Sequence, residues 1–339
     1  MENLLNKYLA TLDPADMATG RRLITRSLDQ GTAPEAVIDQ VLVPAQVEVG
    51  RRWQANEYTV PQEHAATAVT DAVLASMAAR TPGDRSIPGR IVACCVEGEW
   101  HTLPLRMLTD SLTMHGHDVV FLGPSVPAAQ LAGFLREVDP VALLVSCTAA
   151  SGLVGARRTI EAAHAAGVPV LIGGRGIGVD GTRADNLGAD AWTTNVTGAE
   201  AVLAAWARRR PELSHACDVE PEEAGLEHPR PSLVDDCLSV LLERQPELRA
   251  MTGPQMERTR EDLAFIMQFC SAALVCRDPT VLDDFTVWLR DLLAPRGVPA
   301  TSIVAGYDAI AEVLAGDFPV TVRMLAASSE TIATTPPTA

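Results

Sequence analysis

Glu99-Trp100-His101-Thr102-Leu103-Pro104 places a carboxylate two residues before an imidazole, directly after a short apolar run from Ile91 to Val96. A histidine so placed can give one ring nitrogen to something large. The carboxylate then accepts the other ring N–H, which orients the ring and raises its basicity. A second group lies upstream, where Trp53 is followed after nine residues by Glu63-His64. Each group also has a plainer account: a polar loop histidine in the first case, and in the second a core tryptophan with a carboxylate that favours a helix start.

Elements that would position these residues follow from the apolar periodicity. Residues 1 to 82 carry helical spacings with a glycine stop at Gly31 and a long Ala- and Val-rich helix from Glu63 to Ala79; four helices on a small-residue core predict an up-down bundle. Between 88 and 210, apolar runs at Ile91–Val96, Val119–Leu122, Ala142–Ser146, Val168–Ile172 and Ala191–Thr193 alternate with helical patterns at 105–115, 127–137, 153–166, 181–187 and 198–209. That alternation predicts a parallel sheet covered on both faces, with the His101 loop, Gly123-Pro124, Ser146-Cys147-Thr148 and Gly173-Gly174 along its carboxyl edge. Residues 211–231 are acidic and Pro-bearing and read as a linker. An all-helical pattern fills 232–330, and the Thr- and Pro-rich tail 331–339 is expected to be disordered. The fold class is thus α/β and all-α in one chain.

Composition narrows the functions. The net charge of −16 over 339 residues repels nucleic acid, and no apolar run suits a signal peptide or a membrane span. A cytoplasmic protein is expected, with no nucleic-acid or membrane partner. The seven cysteines show no Cys-x-x-Cys and are expected to be reduced and buried. No Gly-x-Ser-x-Gly elbow points to a hydrolase. Gly173-Gly174-Arg175-Gly176-Ile177-Gly178 follows the fourth strand rather than the first, which argues against dinucleotide binding. His115 and His117 are expected to end a helix in water, and His164 to be an exposed helix residue.

Glu99-Trp100-His101-Thr102-Leu103-Pro104 resembles the Asp-x-His-x-x-Gly signature of cobalamin-binding domains, with Glu99 for Asp and Pro104 for Gly. The resemblance implies a Rossmann-like (flavodoxin-like) domain in which His101 is the lower cobalt ligand, with Glu99 behind it and Thr102 beside it. Ser146 and Thr148 resemble the family's hydroxyl element for the dimethylbenzimidazole tail, and Gly173 and Gly174 its Gly-Gly element; Thr193 would close the tail pocket. Trp53 with Glu63 and His64 resembles the Trp-x₉-Glu-His motif of light-sensing adenosylcobalamin proteins of the CarH type. There the bundle caps the corrin, the tryptophan and glutamate meet the adenosyl group, and the histidine is an upper ligand after photolysis.

The segments 256–263 and 283–293 resemble the globin- or phycobiliprotein-like helical domain of the photocobilins, which carry a biliverdin-type bilin beside cobalamin. A bilin needs a carboxylate for its pyrrole N–H groups and arginines for its propionates. Arg258, Arg260, Asp262, Asp284 and Arg290 are the candidates; Cys270 and Cys276 are the thiols that could form a thioether, with buried apolar packing the expectation for both. These resemblances imply a sensor, not an enzyme, whose output passes through a protein partner or a homo-oligomer, since no helix-turn-helix precedes the bundle. The alternatives are a corrinoid carrier for methyl transfer and a dark cobalamin sensor.

Overall fold

In a computed structural model, residues 1–80 and 87–334 are described. The predicted bundle is present as α1 (Glu2–Leu12), α2 (Met17–Asp29), a helical run of α3 (Pro34–Val37), a π turn (Ile38–Leu42) and α4 (Val43–Gln54), and α5 (Val60–Arg80). The starts follow local chemistry. Asp16 accepts the Thr19 N–H at 2.9 Å, Pro34 stands in the first turn of α3, and Gln62 accepts the Thr59 N–H at 2.9 Å before α5. Gly31, at φ +89°, supplies the left-handed stop after α2. The π turn ends beside Pro44, which cannot donate to the helical ladder. Tyr8, Leu42, Val69 and Val73 fill the bundle core, with the Tyr8 hydroxyl bonded to Thr70 at 3.0 Å.

The second unit is a five-stranded, all-parallel sheet in the order β2-β1-β3-β4-β5. Its strands are β1 (Arg90–Cys95), β2 (Asp118–Gly123), β3 (Ala142–Ser146), β4 (Val170–Gly173) and β5 (Ala191–Trp192). Five helices alternate with them: α6 (Leu103–Met114), α7 (Ala128–Val138), α8 (Leu153–Ala165), α9 (Thr182–Leu187) and α10 (Val196–Arg208). Alternation along the strands separates two faces. Ile91, Ala93, Cys95 and Leu144 pack with Leu112 of α6 and Leu203 of α10. Val92, Cys94, Leu143 and Val145 pack with Leu135 of α7 and Ile160 of α8. Helix α6 also turns Leu103 and Met107 into the bundle core, so it is the wall between cap and sheet.

The third block comprises α11 (Pro231–Arg244), α12 (Gly253–Val275), α13 (Thr280–Leu293), α14 (Ala300–Leu314) and α15 (Pro319–Thr334). It is not a separate lobe. Met267, Cys270, Leu282 and Tyr307 belong to the same continuous core as Val92, Val145 and Ile160. The segment 211–231, expected to be a linker, is strapped down: Leu226 is fully buried, Ser214 N–H donates to Asp190 at 2.7 Å, and Cys217 N–H donates to Asn186 O at 2.9 Å. The tail expected to be disordered from 331 continues α15 to Thr334, because Ser328 and Thr331 bond the Asp283 carboxylate. Its remainder, 335–339, and residues 81 and 82 of the expected bundle domain lie outside the described residues.

Two histidines also depart from expectation. His117 is buried, 8% exposed, and His164 donates or accepts at 2.8 Å with the fully buried Asp190 carboxylate. Burial alone would push the Asp190 carboxyl up; the bonds from His164, Val170 N–H and Ser214 N–H outweigh it and hold the pKa below 3.8. A folded pKa below the unfolded one contributes stability that is present above the ordinary aspartate value and lost as pH falls through the lowered one. Asp190→Asn is therefore expected to cost about 2–3 kcal/mol at neutral pH, by leaving buried donors poorly paired. Urea unfolding checks this, and the gap to wild type should narrow as pH falls below the ordinary aspartate value.

Among the described residues, no helix is long and apolar enough to cross a membrane, and all seven cysteines are free.

Candidate corrinoid site

In an open sheet of this order, strand connections diverge between β1 and β3, and ligands sit outside the carboxyl ends there. The loop after β1 carries Glu99 and His101, and the loop after β3 carries Thr148 and Ala149. Glu99 joins them. Its side chain is 3% exposed. One oxygen accepts the His101 N–H at 2.9 Å and faces His101 Nδ1 at 2.5 Å. The other accepts the Thr148 and Ala149 N–H groups at 2.8 and 2.9 Å. Burial would raise the Glu99 pKa; the bonds from His101 and Ala149 outweigh it and keep the carboxylate ionised. The same bond to Glu99 raises the His101 pKa. With Nδ1 held, Nε2 is the available donor, on a ring 66% exposed. Thr102, half-buried, is the first flanking residue of α6, and Pro104 falls in its first turn, where no donor is needed.

The tail candidates also converge. Ser146 is buried at the end of β3. Thr148 Oγ1 is, among the described residues, the buried side-chain polar atom without a hydrogen-bond partner. An orphan hydroxyl of this kind calls for a partner the chain does not supply. Gly174, at φ +106°, approaches the Cys147 carbonyl so closely that any Cβ would collide with it, and a Cβ on Gly173 would lie 2.7 Å from Thr193 O. Thr193, however, spends its hydroxyl on Asn195 O at 3.0 Å, in the turn that starts α10. These donors fit a corrinoid: a single imidazole for the metal, an unpaired hydroxyl, and a side-chain-free pair of glycines. Among the described residues no cluster of three or more His, Cys, Asp or Glu side chains forms a metal site of its own.

On the cap side, Glu63 lies in the first turn of α5 and accepts from Thr67 Oγ1 at 2.9 Å, while its other oxygen faces His64 Nδ1 at 2.5 Å. The His64 ring is 73% exposed. The Glu63 charge also helps raise the His101 pKa, after the larger effect of Glu99. Trp53 is half-buried at the end of α4. Its indole stacks on Trp288 of α13 with ring centres 6.3 Å apart, and the Arg296 guanidinium lies 5.7 Å above it. Arg296 also donates to Trp53 O at 2.9 Å and Gln54 O at 3.0 Å. The third block thus grips the cap where the tryptophan sits. Trp288 and Arg296 gave no signal in the sequence, because their partner is more than 200 positions away.

His115, expected in water, instead joins Glu35 of the cap at 3.1 Å and Glu200 of α10 at 2.6 Å.

The bilin candidates are dispersed. Arg258 pairs with Glu261 and Arg260 with Asp235 on the surface of α12, where Asp262 is also exposed. Asp284 accepts from Arg183 of α9 at 2.8 Å, and the buried Arg290 pairs with Asp291. Cys270 and Cys276 are fully buried, with thiols pushed up to about 12 by burial, and Cys276 donates to Ala272 O at 3.0 Å.

Comparison with known proteins places this geometry. Family models described as B12 binding domains match residues 4–77 and residues 89–212. The chain is 31% identical over 144 residues to the HTH-type transcriptional repressor CarH of Myxococcus xanthus, a match covering 42% of this chain and 48% of that protein. It spans about half the length of that relative. It is 27% identical over 176 residues to the dimethylamine corrinoid protein of Methanosarcina barkeri, covering 50% of this chain and 81% of that one. The structure of the Methanosarcina barkeri monomethylamine corrinoid protein superposes with a TM-score of 0.54 at 18% identity, over 60% of this chain and 99% of that one, a likeness of fold. The family models end at residue 212, and the type of the helical region beyond it is unassigned. The chain is a cobalamin-binding protein, with a B12-binding helical cap and a Rossmann-like B12-binding domain, distantly related to both CarH and the corrinoid proteins.

Proposed function

We propose that this protein is a light-responsive adenosylcobalamin sensor and not an enzyme. The observation that carries the reading is that the Glu63 charge reaches the His101 imidazole, with His64 held beside Glu63 at 2.5 Å. When bound, adenosylcobalamin supplies a cobalt–carbon bond that visible light breaks. The chain's own residues do the rest. His101 Nε2 would hold the cobalt, and Glu99 fixes its ring. Trp53 would exclude water from the bound group. His64, exposed and tethered to Glu63, would be a second imidazole available to the metal. Any shift of Trp53 is transmitted to α13 through Trp288 and to the segment after it through Arg296. Output through a protein partner or a change of assembly suits that connection.

A corrinoid carrier is the second reading, favoured by the likeness to the dimethylamine corrinoid protein. Adenosylcobalamin loaded in darkness and then illuminated separates the two. A sensor changes absorbance and hydrodynamic size together, and His64→Ala abolishes the size change while leaving dark binding intact. Photolysis with no change of shape in the wild type favours the carrier and sinks the sensor. For the third block, a biliverdin-type chromophore on the α12 face that carries Arg258, Asp262 and the exposed Phe265 is proposed. Reconstitution with biliverdin tests it, and an unshifted bilin spectrum rejects it.

A further inference from the structure

Helix α9 is short, yet it holds a guanidinium that is 6% exposed. Burying such a cation is costly unless every donor is used and the charge is matched. Arg183 uses four of its five N–H donors and meets its charge with two carboxylates, across a boundary. Nε donates to Asp278 at 2.7 Å, and one terminal nitrogen donates to Asp284 at 2.8 Å and Thr280 at 3.1 Å. These three residues lie in or just before α13 of the third block. The other terminal nitrogen donates to Gly176 O at 3.3 Å, within the loop after β4.

That loop has no slack. The Gly176 N–H donates to Cys147 O at 3.0 Å, and a Cβ on Gly176 would lie 3.0 Å from that oxygen and 3.1 Å from Ala150 N. Gly178 packs against the Arg183 side chain itself. The loop after β3 is already pinned from its far side by Glu99. What remains to be set is the Gly173–Gly178 loop, and Arg183 is the side chain that ties it to the third block. Thr148 Oγ1, the orphan hydroxyl, lies in the loop against which it rests.

We propose that Arg183 is a positioning residue through which the third block sets the loop after β4 to receive the nucleotide tail of a corrinoid, making that block part of the binding site. The inference rests on the corrinoid reading above and deepens it. It predicts a selective effect. Ligation by His101 depends on Glu99, which Arg183 does not touch, so a corrinoid without a tail is insensitive to Arg183.

The test uses the full chain titrated with hydroxocobalamin and with cobinamide, which lacks the nucleotide tail, followed by absorbance. Arg183→Lys keeps the charge and loses the fork of donors. It is expected to weaken hydroxocobalamin about tenfold, the scale of losing a support behind a bound metal group, and to change cobinamide less than about twofold. Asp278→Asn, which leaves Asp284 in place, shifts the ratio in the same direction and serves if the lysine variant does not fold. Asn186→Ala cuts a different bond between α9 and the third block, to Cys276 O at 2.8 Å, without touching Gly176. It lowers the thermal midpoint and leaves the ratio unchanged. Equal weakening of both corrinoids, no change in either, or an equal ratio shift in Asn186→Ala overturns the proposal. Failure of the wild type to bind either corrinoid refutes the corrinoid reading instead.

Discussion

His101→Ala is expected to lower affinity for hydroxocobalamin about a hundredfold, at or beyond the upper end of what losing a supporting residue costs a metal group. The absorbance of the bound form should lose its histidine-ligated character. The fold should not suffer. The ring is 66% exposed and its one side-chain partner is Glu99, so the unfolding free energy should change by no more than an ordinary surface substitution, about 0.5 kcal/mol. This split between binding and stability is the diagnostic. Destabilisation equal to the binding loss would mean the imidazole is a structural group. An unchanged spectrum would remove it as the lower ligand.

Glu99→Ala should show the opposite pattern, with both quantities falling. Its carboxylate satisfies three backbone N–H groups and the His101 ring from a nearly dry position. Removing it strands the Thr148 and Ala149 donors and lets the loops after β1 and β3 separate. The expected cost is about 3–4 kcal/mol, in the range for breaking a buried charged network. Chemical denaturation measures it. Corrinoid binding should fall as far as in His101→Ala, because the imidazole loses its orientation. Glu99→Gln, which keeps the volume but presents an NH₂ to donors on one side, should fall between the two. A Glu99→Ala protein as stable as wild type would show that the bridge between the loops carries no weight.

The strands and helices of residues 88–210 were legible because a buried strand and an amphipathic helix write different periods into the chain. Ala142–Ser146 is recovered to the residue, and the remaining boundaries move by one or two positions where caps rather than periodicity decide them. The helices of the bundle and of the third block were legible for the same reason. His101 and its carboxylate were legible because two residues of separation are a local fact. The linker was less so. Its acidic, Pro-bearing composition says that it forms no regular element, and says nothing of the buried Leu226 or the bonds that strap it down.

By itself, then, the sequence determined the order of units, the side of the sheet on which the loops gather, and the imidazole offered there. The tertiary structure decided what those pieces are joined to. Glu99 finds Thr148 some 49 positions away, Arg183 finds Asp284 at 101, and Arg296 reaches Trp53 O at 243. None of these pairings has a period or a motif, since each depends on where folded elements come to rest. That is why His117 and His164 read as solvent-facing yet are not, and why a third block that reads as a separate domain instead shares one core with the sheet and stacks Trp288 on Trp53 of the cap.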